Sequence, residues 1–346
     1  MSSERFSKKC YIDIDVDKKI LQENAEILAA PNTGILAADE STGSIKKRLE
    51  TVGIPDTIEN HRLYRQLLFT TPGVERFICG VIMFDETVRQ FSDDDVQFPK
   101  LLASRGILPG IKVDKGLKDM ANFPGEKIAE GLDGLRERLL EYSQLGLKFA
   151  KFRTLMNISD KLPSDVCIST NAEIQARYAA LCQEVDIVPI VEPEILMEGT
   201  HSMSRSKQVL RKVLKEVFIA LDRHKIFTKG MILKSSWVHP GLDSSEKPES
   251  REIAKATVEV FKEVLPDDLP GVVFLSGGDS PEDSTSHLDA LNEVEHEPWK
   301  LSFSFGRALQ EPVLKAWAGK SENVEHAQQI FYERAQLNSL ATTGKY

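Results

Sequence analysis

Residues 230 to 241 read GMILKSSWVHPG, an apolar run with one lysine, Lys234, near its middle. Met231, Ile232 and Leu233 mark the run as a buried strand, and burial disfavours an ammonium ion because a low dielectric penalises the charged form. The neutral amine is a nucleophile toward ketones. The competing reading is a strand-end lysine whose head snorkels to water along its apolar stem. Two other segments carry basic groups in similar places. FAKFRTL holds Lys151 and Arg153 two residues apart, on one face of a strand, and GIKVDKG brings Lys112 to the end of another. Cations gathered at one mouth repel unless carboxylates or an anion offset them, and Asp39, Glu192 and Glu194 supply carboxylates. Any single member could equally belong to a structural ion-pair network.

FLSGGDS, at 274 to 280, places Ser276, Gly277 and Gly278 directly after a β-prone run, and SFGRALQ, at 304 to 310, does the same with Gly306 and Arg307. Glycines let backbone N–H groups approach an anion, and a following helix start adds its dipole. The seven histidines show no HxxxH or paired spacing, so no metal site is expected; His239, near a strand end, is the one to watch. Cys10, Cys79, Cys167 and Cys182 form no CxxC, and free, mostly buried thiols are expected.

These side chains need elements to hold them. Eight short β-prone runs recur: Gly34 to Asp39, Phe77 to Phe84, Leu108 to Val113, Phe149 to Leu155, Ile187 to Val191, Gly230 to Ser235, Val272 to Ser276 and Leu301 to Phe305. Between them lie segments such as GLDGLRERLLEYSQLG and SKQVLRKVLKEVFIALDRH, whose apolar residues recur at three and four. Strands alternating with helices imply parallel pairing, and eight such units are what a closed (β/α)₈ TIM barrel requires. The alternative, a doubly wound open sheet, would carry a GxGxxG turn after its first strand, and TGILAADESTGS has none. In a barrel the strand ends form the active-site mouth, and the turns after strands seven and eight frequently hold phosphate. The glycine turns named above are those turns.

The chain has 346 residues, 41% of them hydrophobic and 28% charged, enough apolar mass for a large core and no sign of a fibrous or disordered class. A net charge of −9 with scattered basic residues argues against nucleic acid or an anionic membrane as partner. No secretory signal or apolar span of transmembrane length is visible, so a cytoplasmic protein is expected.

The segments LAADESTGSIKKRL, GIKVDKG, FAKFR, IVPIVEPEIL, FLSGGDS and SFGRALQ together resemble class I fructose-1,6-bisphosphate aldolase, the Schiff-base, metal-independent type, from about Ile20 onward. The resemblance implies that Lys234 forms the Schiff base with C2 of the ketose and that Lys151 is the neighbouring cation. It implies that Glu192 is the general acid/base for the carbinolamine and that Asp39 takes the C4 hydroxyl proton, with Glu194 a supporting carboxylate. Ser276, Gly277, Gly306 and Arg307 resemble the C1-phosphate site; Ser41, Ser44, Lys112 and Arg153 resemble the C6-phosphate region, and Arg48 also matches a phosphate-site residue. The resemblance further implies one barrel domain over 1–346 with an N-terminal helical extension at 1–32, no cofactor, sugar phosphates as substrates and a homotetramer. Preference for fructose 1-phosphate or sedoheptulose 1,7-bisphosphate, or a mainly protein-binding scaffold, are the alternatives. Three departures stand out: Ser235 and Ser236 replace the Pro-Asn that usually follows the lysine, Phe152 replaces a tryptophan, and the family's C-terminal tail with its terminal tyrosine is not matched, the sequence given stopping at Tyr346. The last raises the expectation of slow proton exchange at C3 of dihydroxyacetone phosphate.

Overall fold

The computed structural model describes residues 16–346. Eight parallel strands close into a barrel: β1 Gly34–Ala38, β2 Ile78–Met83, β3 Leu108–Lys112, β4 Phe149–Met156, β5 Val188–Ile195, β6 Ile232–Ser235, β7 Gly271–Phe274 and β8 Lys300–Phe305. Each strand pairs with the next in the chain, and β1 closes the ring on β8 with Ile35 opposite Ser304. Helices fill the connections. The helix Met203–Arg223 shows why: Val209, Leu210, Val213, Leu214, Val217 and Leu221 recur at three and four and are all buried.

Strict alternation sorts the strand residues into two cores. Ile35, Ala37, Ile82, Phe149, Val188, Ile190, Ile232 and Val273 pack inside the barrel, whereas Leu36, Ala38, Ala150, Phe152, Val191 and Leu233 face the helix layer. The same parity decides the chemistry, because Phe149, Lys151 and Arg153 share one face of β4, as do Ile190, Glu192 and Glu194 on β5 and Ile232 and Lys234 on β6. The helix Lys18–Leu28 closes the opposite end, with Leu21, Ala25 and Leu28 buried against the interior cluster. It is the described part of the expected N-terminal extension; residues 1–15, including Cys10, lie outside the described residues. Phe149 fills the interior because Gly110 on β3 leaves it room, since a Cβ there would stand 2.3 Å from the ring.

All eight expected strands are present, with altered ends. The fifth was expected over Ile187 to Val191 but runs on to Ile195, so Glu192 and Glu194 sit within it. Pro193 and two acids read as a strand end, yet full pairing with β4 through Thr154 opposite Pro193 carries the strand through them. The sixth starts later than expected because Thr228–Gly230 is a 3₁₀ turn. A short antiparallel hairpin, Leu117–Asp119 with Lys127–Ala129, was not foreseen; three-residue strands give too brief a pattern. Cys79, Cys167 and Cys182 are buried free thiols.

Candidate active site

The C-terminal ends of the strands enclose one pocket, and all fourteen residues singled out from the sequence line it, together with Ala37, Glu40, Leu275 and Ser304. Six basic side chains and four carboxyl groups share the lining. An excess of basic groups at a concave mouth suits an anionic ligand.

At its centre Lys234 Nζ lies 2.9 Å from Glu192 Oε1, while Lys151 Nζ lies 3.1 Å from Glu192 Oε2 and 2.7 Å from Asp39 Oδ2. Lys234, Lys151 and Glu192 are each 4% exposed or less. Burial alone would neutralise the carboxyls, but Lys151 and Lys234 outweigh it and hold both Asp39 and Glu192 below the usual carboxylate range. Burial likewise opposes the Lys151 charge, and Asp39, Glu192 and Asp114 override it, raising Lys151 well above the ordinary ammonium value. Lys151 Nζ approaches Glu192 Oε2 to 3.1 Å without a directed hydrogen bond, so this buried oxygen has no hydrogen-bond partner among the described residues.

Two basic clusters flank this centre. On one side Arg307 opens the helix Arg307–Trp317 behind Gly306, and its guanidinium donates to the Gly277 carbonyl at 2.6 Å, joining the two glycine turns. Gly277 needs its glycine, at φ +65°. The amides of Gly278 and Asp279 turn back onto the Ser276 carbonyl at 2.7 and 3.0 Å, so Gly278 does not offer an anion the N–H that the SGG run suggests. No hydrogen bond among the described residues uses the amides of Ser276 or Gly277. On the other side, Ser41 stands at the N-cap position of the helix Thr42–Glu50 without a side-chain cap bond, its Oγ 3.2 Å from Ser44 Oγ. Arg153 is paired to Glu194. Lys112 is tied to the carboxylate of Asp114 and donates to its carbonyl at 2.9 Å, so a phosphate would compete with Asp114 for it.

Five contributors escaped the sequence reading: Glu40, Arg65, Gln310, Asp114 and Ser304. Glu40 is buried between Arg48 and Arg65, with Gln310 Nε2 donating to it at 3.0 Å and Arg65 at 2.6 Å. This anchors Arg48, whose Nη2 lies 3.8 Å from where a Cβ of Gly306 would be. Asp114 accepts the Arg153 amide at 3.2 Å as well as binding Lys112. Ser304, an inward residue of β8, lines the pocket with a buried hydroxyl that has no partner among the described residues. DES in the first turn could have pointed to Glu40 beside Asp39; the others depend on contacts far apart in sequence.

The two substitutions that depart from the family pattern fall outside the pocket wall. The Ser235 hydroxyl donates to the Ser236 carbonyl at 2.8 Å, and Ser236 Oγ accepts from the Ile195 amide at 3.1 Å, tying β6 to β5. Phe152 faces the helices and packs against Tyr178, with ring centres 5.1 Å apart. His239 sits behind the Ser276–Gly277–Gly278 turn, facing Asp279 and His287 rather than the lysines.

Fold and site define a (β/α)₈ enzyme with a buried lysine–carboxylate centre between two basic edges. The model of the family described as fructose-bisphosphate aldolase class-I matches residues 20–346. A probable fructose-bisphosphate aldolase class 1 of Xylella fastidiosa (strain 9a5c) is 49% identical over 327 residues, covering 94% of this chain and 98% of that one. Fructose-bisphosphate aldolase C-B of Danio rerio is 47% identical over 95% of this chain and 91% of its own. Among solved structures, the fructose-bisphosphate aldolase of Plasmodium falciparum, in a complex with TRAP and a small-molecule inhibitor, superposes with a TM-score of 0.93 at 45% identity over 95% of both chains. The chain belongs to the class I fructose-bisphosphate aldolase family.

Proposed function

We propose that this chain cleaves fructose 1,6-bisphosphate reversibly to dihydroxyacetone phosphate and glyceraldehyde 3-phosphate, in glycolysis and gluconeogenesis, through an imine on Lys234. The observation that carries this reading is the Lys234–Glu192–Lys151–Asp39 chain of contacts lying between two phosphate-sized basic edges.

Lys234 begins as the ammonium paired to Glu192: Glu192, 2.9 Å from Nζ, takes one of its protons, the freed amine attacks C2 while a second nitrogen proton moves to the C2 oxygen, and Glu192 returns its proton to the departing hydroxyl, releasing water and leaving a protonated imine. Breaking C3–C4 sends its electron pair toward the imine nitrogen, giving an enamine, while the C4 hydroxyl proton goes to Asp39 and the aldehyde forms. A carboxylate depressed by two cations is a weak base. The timing resolves this: bond cleavage removes the positive charge on the Lys234 nitrogen just as Asp39 takes the proton. Lys151 stays charged throughout, orienting Asp39 and Glu192. Ser276, Gly277, Gly306 and Arg307, with Arg48 beside them, hold the C1 phosphate; Ser41, Ser44, Lys112 and Arg153 hold the C6 phosphate, and Glu194 orients Arg153. Because Ser235 and Ser236 point their hydroxyls at backbone groups, the ketose preference is assigned to these phosphate edges.

A substrate panel tests the activity. Cleavage of fructose 1,6-bisphosphate should exceed that of fructose 1-phosphate and sedoheptulose 1,7-bisphosphate in kcat/KM; a higher value for either of the others would reassign the substrate. Following the family, we also propose a cytoplasmic homotetramer, which light scattering of the purified chain would show as four times 38.7 kDa.

A further inference from the structure

We propose that His239, Asp279 and His287 form a binding site for a divalent transition-metal ion of the zinc type, behind the phosphate turn and separate from the reacting lysine. The fold gathers the three from different segments: His239 follows β6, Asp279 lies in the turn after β7, and His287 is on the helix Pro281–Glu293. Their ligand atoms all lie within 4.8 Å of one another. The carboxylate stands between the rings, with Oδ1 3.9 Å from His239 Nε2 and Oδ2 3.9 Å from His287 Nε2. These gaps exceed any N–H···O hydrogen bond, so neither ring bonds the carboxylate directly. Zinc bonds of about 2.0 to 2.1 Å in a tetrahedron put ligand atoms about 3.3 Å apart. Small side-chain rotations close that difference.

The surroundings fix the rings for ligation. His239 Nδ1 lies 2.5 Å from the Pro240 carbonyl, an acceptor only, so Nδ1 carries the hydrogen and the Nε2 lone pair faces Asp279. His287 Nδ1 lies 2.8 Å from Ser250 Oγ, which can accept from the same tautomer. Trp237 Nε1 donates to Asp279 Oδ2 at 3.0 Å, and its ring stacks on Phe274 with centroids 5.6 Å apart. Outer partners that hold the far ring nitrogen and the carboxylate in this way are typical of metal-ligating histidines. All three side chains are largely buried, His239 being the most exposed at 15%. Two imidazoles and one carboxylate favour zinc-like ions over magnesium or calcium, which take oxygen ligands. A water would complete the tetrahedron.

The test uses the full chain freed of metal by chelation and dialysis. Titrated Co²⁺ should bind one equivalent with the visible absorption of a tetrahedral nitrogen–oxygen site and without the near-ultraviolet band of thiolate coordination, and Zn²⁺ should raise Tm. His287→Gln and Asp279→Asn should each weaken Co²⁺ binding at least ~10-fold and abolish the Zn²⁺ shift in Tm. His239→Gln, at the most exposed ligand, should do the same and guards against loss of fold, which metal-free Tm reports. Equal Co²⁺ affinity in the parent and the folded variants, a thiolate signature alone, or no binding at millimolar Co²⁺ would overturn the proposal.

Discussion

Glu192 touches Lys234 and Lys151 through its two oxygens, and Lys151 touches Asp39 as well as Glu192, so removing either residue strands a buried charge. Truncating Lys151 to Ala should destabilise the fold by ~3 to 5 kcal/mol, the range for an ion left without its buried partner. Denaturant unfolding of both chains measures this. The pH dependence follows from the directions of the shifts. Asp39 and Glu192 are depressed below their ordinary values of 3.8 and 4.5, so their stabilising effect is complete above those values and is lost as pH falls toward the folded ones. Lys151 is raised above 10.5, so its effect is complete below that pH and is lost as pH rises from there toward the folded value. The stability difference between parent and Lys151→Ala should therefore be flat from about pH 5 to pH 9 and shrink below about pH 4; a difference that grows on acidification would contradict this pairing. At this scale Lys234, Lys151, Glu192 and Asp39 were legible because a charged residue in an apolar strand is costly and two-residue spacing fixes its face. Glu40, Asp114 and Gln310 were not, because their partners are set by how separate strand ends meet.

The two glycine turns after β7 and β8 act as one element through the bond from Arg307 to the Gly277 carbonyl. Arg307→Ala should weaken fructose 1,6-bisphosphate and fructose 1-phosphate alike, by ~1.5 to 3 kcal/mol in kcat/KM, the worth of a charged hydrogen bond. Lys112→Ala should discriminate, affecting only the substrate with a C6 phosphate. Equal losses on both substrates would remove Lys112 from the C6 edge. Its loss should also be smaller than that of Arg307, since Asp114 already occupies the Lys112 ammonium. The strands themselves were readable from β-branched runs and their spacing. Strand ends were less so: β5 runs through Pro193 because its neighbour β4 supplies pairing that local sequence does not announce.

The barrel keeps its chemistry at one end and a stopper at the other. Leu21, Ala25 and Leu28 of the N-terminal helix seal the interior cluster far from the lysines. Leu28→Ala should cost ~2 to 5 kcal/mol of stability, the range for a buried leucine, and leave KM unchanged; a KM shift of several-fold would mean that the two ends are coupled. That a (β/α)₈ barrel was legible at all follows from eight alternations of period-two and period-3.6 patterns, which few architectures satisfy. The plug was legible only as a helix, since nothing local says which surface its apolar stripe covers.

The central claim is that Lys234 is the nucleophile, and borohydride reduction in the presence of dihydroxyacetone phosphate tests it most directly. Imine formation on Lys234 predicts irreversible inactivation with one reduced triose adduct per chain, mapped by peptide mass to the segment holding Lys234, and the same outcome in EDTA. An adduct on Lys151 or Lys112 with Lys234 unmodified, or no adduct while cleavage proceeds, would contradict it.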